Sequence, residues 1–374
     1  MFMGIGEDLP MVSSSLRQKV KSIRFLRRQS VPVSIGHANK WKMWDNGFFS
    51  QSYLIYNFAE NDLRDYVSDY VRYRLAVRFN GYYAVALYDK LYCNLLLNHF
   101  AEYLPKTHGV LKDGQLSLLG HGESITLTDF PAFLRQHGQL VLKPLAGTQG
   151  VGVHLLEERG GVITLDGQSL TDKELLAKAH RWQDYLVTDY VRQHPYAAKI
   201  FPGSTNTVRL LTLWDKEAET PFIACGVHRF GVAKTAPVDS WTRGGVSAAI
   251  DLHTGVLTKA GPKPYRQAPC LSPCHPESGQ QIEGVTIPHW PQIQKRLLEM
   301  AAALHFIPYI GWDIIVTENG FQVIEANNGP DLLLFQMHGP LLADPRTRRF
   351  FQHHIGRLTG PDAEKREYKL PFKI

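Results

Sequence analysis

The stretch from Gly311 to Leu334, GWDIIVTENGFQVIEANNGPDLLL, constrains the chain most, because two short β-type runs flank a turn signal and carry oxygen-bearing side chains at their ends. Asp313 opens a β-branched run, Glu318-Asn319-Gly320 marks a turn, and the residues after it alternate apolar and polar, as in a hairpin. Pairing Ile314 to Thr317 against Phe321 to Ile324 returns Glu325 to the side of Asp313, with Asn327 two residues on and on the same face as Glu325. Two carboxylates and a carboxamide then converge. Mg²⁺ takes oxygen ligands in near-octahedral geometry and is usually held by one or two carboxylates plus substrate phosphates, so Asp313, Glu325 and Asn327 suit a metal that carries a nucleotide. A surface hairpin whose acids face water is the alternative that this stretch alone leaves open.

The chain has 374 residues, 44% hydrophobic and 20% charged, which is room for two or three packed domains. Its longest apolar runs fall far short of the ~20 residues of a membrane helix, and the first residues lack a secretory signal pattern, so the expected location is the cytoplasm. Four cysteines, Cys93, Cys225, Cys270 and Cys274, are too scattered for a disulfide framework. Cys270, Cys274 and His275 lack a fourth ligand at sensible spacing and sit in a Pro- and Ser-rich segment, which reads as a loop. The net charge of +6 is concentrated near the start, at Arg17, Lys19, Lys21, Arg24, Arg27 and Arg28, and again at Arg346, Arg348 and Arg349. No RNA-binding signature or zinc-finger spacing accompanies it, and a nucleic-acid partner is not expected.

Residues 12–30 predict a basic amphipathic helix with Leu16, Val20, Ile23 and Leu26 on one side; its cations suit an anionic lipid surface, an anionic substrate or plain solvent. Helices are also predicted over 62–79, 88–101, 128–137, 171–181 and 290–304. From residue 139 the character changes to strand, glycine-rich loop and strand. Gly147, Gly150 and Gly152 let backbone N–H groups approach phosphate oxygens, and Lys143 at the first strand's end adds a point charge; a tight hairpin would use glycines too. Arg209 lies in an apolar strand, where a buried cation needs an acid of its own protein or a bound anion. Arg243 sits in a glycine-flanked basic loop and is the candidate for a substrate carboxylate, or else a loop stabiliser.

Six motifs in order, YDKL at 88–91, LVLKPLAGTQGVGV at 140–153, YLVTDYVRQHP at 185–195, STNTVRLLTL at 204–213, DSWTRGG at 239–245 and the Asp313…Glu325-x-Asn327 hairpin, resemble the ATP-grasp superfamily. Within it the chain is most similar to the sugar-transfer-associated family and to glutamate-ligase-like proteins. The resemblance implies an α+β fold of two subdomains gripping ATP: a helical N-terminal region over 1–87, a first subdomain over 88–190, a second over 191–360, and a tail over 361–374. It implies that Lys90 and Lys143 reach the nucleotide phosphates and that Gly147, Thr148, Gly150 and Gly152 form a flap over them. It further implies that Asp189, Tyr190 and Val191 read the adenine edge, that Arg209 touches the γ-phosphate, and that Asp313, Glu325 and Asn327 hold Mg²⁺. Thr188-Asp189 departs from the glutamine or glutamate followed by glutamate of many relatives.

The chemistry so implied is ATP-dependent joining of a small-molecule carboxylate to an amine through an acylphosphate, on a sugar acid, an amino acid or a nucleotide-sugar. Phosphoryl transfer needs positioning and charge neutralisation rather than a protein nucleophile, so no Ser-His-Asp set is required. A kinase of the same fold, a peptide ligase and a non-catalytic binding protein are the competing readings; the last is disfavoured because all three metal ligands are present.

Overall fold

The computed structural model describes residues 16–120, 122–147 and 150–360; Ser13 to Ser15, Thr148 and the tail after 360 lie outside them. Two antiparallel sheets form the frame. The first holds β1 (Thr107–Lys112), β2 (Gln115–Leu118), β3 (Ser124–Thr126), β4 (Gln139–Pro144), β5 (His154–Arg159), β6 (Val162–Leu165), β7 (Gln168–Leu170) and β8 (Tyr185–Asp189), in the order β3-β2-β1-β8-β4-β5-β6-β7. The second holds β9 (Val208–Asp215), β10 (Thr220–Phe230), β11 (Val246–Ile250), β12 (Leu257–Pro262), β13 (Tyr309–Thr317) and β14 (Gly320–Asn327), in the order β12-β11-β10-β9-β13-β14.

Helices Phe130–His137 and Asp172–Ala179 cover the first sheet, burying Phe130, Leu134 and Leu175 on Leu140, Leu142 and Leu156. The second of these starts where Thr171 and Glu174 each bond the other's backbone N–H, a reciprocal cap that leaves fewer orphan donors in the first turn. The second sheet is covered on both faces, which is why its strands read as nearly continuous apolar runs. One face packs on helix Trp290–Ala303 through Trp290, Ile293 and Leu297 against Leu210, Trp312 and Ile314. The other packs Leu211, Leu213 and Tyr309 against Phe48, Phe58, Phe79 and the closing helix Pro345–Thr359.

Several expected helices differ in detail. Residues 62–79 are not one helix: a short 3₁₀ turn at Leu63–Asp65 is followed by a π-helical turn at Val71–Leu75 and a second 3₁₀ turn at Ala76–Arg78. The tyrosines of this stretch are divided: Tyr66 is buried in the aromatic core with Tyr56 and Phe58, while Tyr73 is exposed. The helix expected over 88–101 runs Lys90–Leu96, capped by the Asp89 carboxylate, and then tightens to 3₁₀ at Asn98–Tyr103. The basic helix spans Leu16–Gln29; Leu26 is buried, Val20 is exposed, and Arg24, Arg27 and Arg28 face solvent. Cys270 and Cys274 lie in the expected loop, and His275 Nε2 donates to the Gly231 carbonyl 2.8 Å away. No described helix is long and apolar enough to cross a membrane.

Candidate active site

The β13–β14 hairpin places the acids, and it does so through a bulge. Thr317 to Ile314 pair in simple register with Gly320 to Val323, but the register then shifts so that Asp313 stands opposite Glu325 and Gly311 opposite Asn327. Ile324 is the extra residue. In an unbulged register Asp313 would oppose Ile324, and Glu325 would fall out of step by one residue. The bulge also frees the Ile324 carbonyl, which accepts from Lys143 Nζ at 3.3 Å. Next to it Glu325 Oε1 meets Lys90 Nζ at 3.3 Å, and the same ammonium donates to the Gly147 carbonyl at 3.0 Å. One irregularity thus gathers the two lysines, the edge of the glycine loop and two carboxylates, although Lys90 and Lys143 belong to different elements. Asn327 lies at the strand end, its Nδ2 3.4 Å from the Gly311 carbonyl.

Asp313 is buried, and its partner is Arg209, which stands opposite it on β9 and grips both of its oxygens. Of the two destinations open to a strand arginine, the acid of its own protein is the one occupied here. Arg229 on β10 joins the same carboxylate at 3.3 Å and also lies 3.4 Å from Asp239. Burial pushes the Asp313 carboxyl up, yet the two guanidinium groups outweigh it and hold the group below its ordinary range. For Asp239 burial wins over Arg229 and the Thr207 hydrogen bonds, and its carboxyl is raised. Arg229 escapes a reading by motif; its one visible signal is a charged residue inside a β-type run, the same signal that singled out Arg209, whereas Asp239 opens the DSWTRGG loop motif.

A narrow cleft between the sheets is lined by Lys90, Thr107, Lys143, Leu186, Thr188 and Glu325. Leu186 and Thr188 face it because side chains alternate along β8, and the intervening alternation turns Asp189 away. The Asp189 carboxylate instead lies 2.7 Å from His108 Nε2, on the opposite side, where β1 carries its own register shift between Thr107 and Gly109. Asp189 N donates to the Lys106 carbonyl, while Val191 is buried and Tyr190 half-buried. Arg243 lies in a short 3₁₀ turn at Trp241–Arg243, exposed and without an ion pair among the described residues. It stands outside the cluster around Asp313.

The glycine loop closes against the second sheet's side. Gly150 has φ +70°, and a Cβ there would meet Val238 at 3.1 Å; Gly152 has φ +75°, and a Cβ would meet Tyr185 Oη at 3.0 Å and Pro144 at 3.1 Å. Gly152→Ala is therefore expected to cost about 1–2 kcal/mol from the left-handed backbone alone, and to weaken nucleotide affinity because the loop must shift. Thermal melting together with ATP titration checks both; unchanged affinity would mean that the loop does not cover the nucleotide.

Burial pushes the Lys143 ammonium down to about 8, with Lys90 adding to the fall and Glu325 opposing it. A phosphate oxygen beside Nζ favours the charged form and raises the group again. Nucleotide binding should then take up a fraction of a proton at pH 8.5 and almost none at pH 6.5, with affinity declining as pH rises past 8. Calorimetry in two buffers of different ionisation enthalpy measures the uptake, and Lys143→Met should abolish it. Equal heats in both buffers at pH 8.5 would place the phosphates elsewhere.

The donor set fits Mg²⁺. Asp313 and Glu325 are like charges directly opposed on neighbouring strands, an arrangement that repels unless cations are supplied. Arg209, Arg229 and Lys90 supply them here, and Asn327 adds a neutral oxygen.

The solved structures similar to this chain include a D-alanine–D-alanine ligase from Bacillus anthracis (13% identity over 73% of this chain and 68% of that one, TM-score 0.39). They also include D-alanyl-alanine synthetase A from Vibrio cholerae (12%, 73% and 64%, TM-score 0.40) and an L-amino acid ligase from Bacillus licheniformis (11%, 72% and 48%, TM-score 0.39). The chain thus spans between about half and two thirds of these proteins' lengths. No curated protein matches the sequence. The sugar-transfer associated ATP-grasp family matches residues 70–350, which takes in both sheets and every residue of the cluster just described. With 281 of its 374 residues so matched, the chain belongs to the sugar-transfer associated ATP-grasp family and has the ATP-grasp fold.

Proposed function

We propose that this chain is an ADP-forming carboxylate–amine ligase that makes an amide through an acylphosphate, on a sugar acid or amino acid in surface-polysaccharide or related biosynthesis. The observation that carries the reading is the bulged hairpin, which sets Asp313 opposite Glu325 with Asn327 two residues on, and brings Glu325 to the Lys90 ammonium and the Ile324 carbonyl to that of Lys143. That is an oxygen donor set next to fixed cations, the arrangement a nucleotide triphosphate with its divalent ion needs. Mg²⁺ held by Asp313, Glu325 and Asn327 would neutralise phosphate charge. Lys90 and Lys143 bind and orient the phosphates, the loop from Gly147 to Gly152 excludes water, and the Asp189 to Val191 segment lies along the adenine edge. Arg209 positions Asp313 and stabilises charge on the transferred phosphoryl group.

In the first step an oxygen of the substrate carboxylate attacks the γ-phosphorus, the bond to the β-phosphate oxygen breaks, and ADP leaves. In the second the amine nitrogen attacks the acyl carbon, phosphate leaves with the C–O electron pair, and the nitrogen's proton passes to a base or to water. The description of the family, sugar transfer, supports a sugar acid or a sugar-linked amine as one partner.

The test is to incubate the protein with Mg²⁺-ATP and pools of carboxylic acids, with and without pools of amines, and to identify products by mass spectrometry and phosphorus NMR. ADP and phosphate that appear only when acid and amine are both present establish the ligase. ADP with a stable phosphorylated product and no need for amine would mean a kinase, and AMP with pyrophosphate would overturn the assignment of chemistry.

A further inference from the structure

A second cavity, of about 440 Å³, lies between the N-terminal region and the loop after β12, and nothing in the chemistry above uses it. Its volume is in the range of small-molecule sites. The π-helical turn Val71–Leu75 sends three consecutive side chains, Arg72, Tyr73 and Arg74, to this one cavity, and Lys263 reaches it from the other side. Extra-residue turns of this kind are rare and concentrate at functional sites, because they break the regular spread of side chains around a helix.

The charges at this cavity are unevenly matched. Arg72 is buried, with Nη2 3.1 Å from Asp69, but Nε and Nη1 have no hydrogen-bond acceptor among the described residues; Asp331 is 3.5 Å from Nη1. Asp69 has no spare capacity on its second oxygen, which accepts from Phe49 N at 2.7 Å and Ser52 Oγ at 2.6 Å. Asp331 is shared, because Lys263 Nζ lies 3.6 Å from its other oxygen. Arg74 has no acidic partner among the described residues and rests over the Phe25 ring. Three cations thus face two carboxylates, and Arg72, whose guanidinium lies over the Tyr73 ring at 4.4 Å, keeps two buried donors without an acceptor among the described residues, at a cost that an entering oxyanion would remove.

The remaining wall is aromatic. Tyr73 and Phe49 lie 5.5 Å apart at a tilt, and Tyr265 is exposed at the rim. Flat apolar faces beside guanidinium forks suit a ring that carries a carboxylate or a phosphate. The cavity is also tied to the hairpin: Asp331 follows Asn327 by four residues, which limits their Cα separation to about 14 Å.

From these contacts we infer that the cavity binds the oxyanion-bearing sugar ring of a substrate, with Arg72 and Lys263 on the anion and Tyr73 against the ring. The inference rests on the ligase reading for its destination but not for its measurement. Binding of D-glucuronate, glucose 1-phosphate and neutral D-glucose is followed by ligand-observed NMR on the full chain, without ATP or Mg²⁺, so that the metal ligands play no part. One or both charged sugars should bind, glucose at least tenfold more weakly, and the two charged probes distinguish carboxylate from phosphate. Lys263→Ala and Tyr73→Ala, both at partly exposed positions, should raise the dissociation constant at least fivefold, while Glu325→Ala leaves it unchanged. Arg72→Lys adds the test of the fork and is read only if its melting temperature is retained. Absence of binding by either charged sugar, equal binding of glucose, or indifference to both Lys263→Ala and Tyr73→Ala would overturn the inference. Ligase turnover would remain in the product assay, so failure of the pocket and failure of the reaction are separable.

Discussion

Glu325→Ala is expected to reduce ADP formation by at least about 100-fold, on the scale by which loss of groups supporting a metal site lowers activity, while the protein stays folded. The asymmetry between the two acids makes this substitution informative. Glu325 is partly exposed and its ion pair among the described residues is with Lys90 at 3.3 Å, so losing that pair should cost no more than about 1 kcal/mol. Asp313 is different: truncating it would leave Arg209 and Arg229 buried without their shared carboxylate, and lost activity could then be lost fold. Glu325→Ala should retain metal-free nucleotide binding through Lys90 and Lys143, and raising Mg²⁺ should recover little turnover. Phosphate release, thermal melting and nucleotide titration on one preparation decide the matter. Residual turnover above a tenth of the parent's would exclude Glu325 as a metal ligand.

The hairpin was legible because its signals are local: a turn tripeptide, a period of two, and acids at the strand ends. The one-residue bulge at Ile324 was not, since an apolar residue in an alternating run looks the same paired or unpaired. It nevertheless decides that Glu325 faces Asp313. The helix expected over 171–181, observed as Asp172–Ala179, was equally readable, as was the loop around Cys270 and Cys274.

What failed to show were long-range partners. Arg209 called for an acid or a bound anion, but nothing in its own neighbourhood could say that an acid, Asp313, would meet it from 104 positions away, or that Arg229 would share it. Beyond the basic helix over 12–30, the N-terminal region was read as helices without a role. In the fold it is a cover for the second sheet: Asn80 bonds the Tyr309 carbonyl and N–H as well as Asn328, and Asn328 bonds the Val77 carbonyl and Tyr88. Those contacts hold the end of the hairpin, and they depend on a three-dimensional approach that no spacing in residues 62–79 announces.

Arg209→Met should have the largest combined effect, on fold and on turnover, and pH separates the two. Removing the bidentate partner of a buried carboxylate is expected to cost about 3 kcal/mol, the low end for breaking such a pair because Arg229 remains. In the parent, Asp313 is held below its ordinary value. Its stabilising contribution is therefore complete above about pH 4 and lost only as pH falls through the lowered folded value. In Arg209→Met burial is opposed by Arg229 alone, so the carboxyl should rise above its ordinary value. The folded variant then binds the proton more readily than the unfolded chain, and its stability deficit should shrink on acidification from pH 7.5 to 5. Adding Asp313→Asn should recover much of the melting temperature at pH 7.5 and none of the activity. Arg209→Lys should fall between, since one ammonium cannot occupy both carboxylate oxygens. A deficit that is the same at pH 5 and 7.5 would show that Arg229 alone keeps Asp313 ionised. In that case Arg209 is not needed to hold the acid, and a loss of turnover in Arg209→Met would report its action on the transferred phosphoryl group.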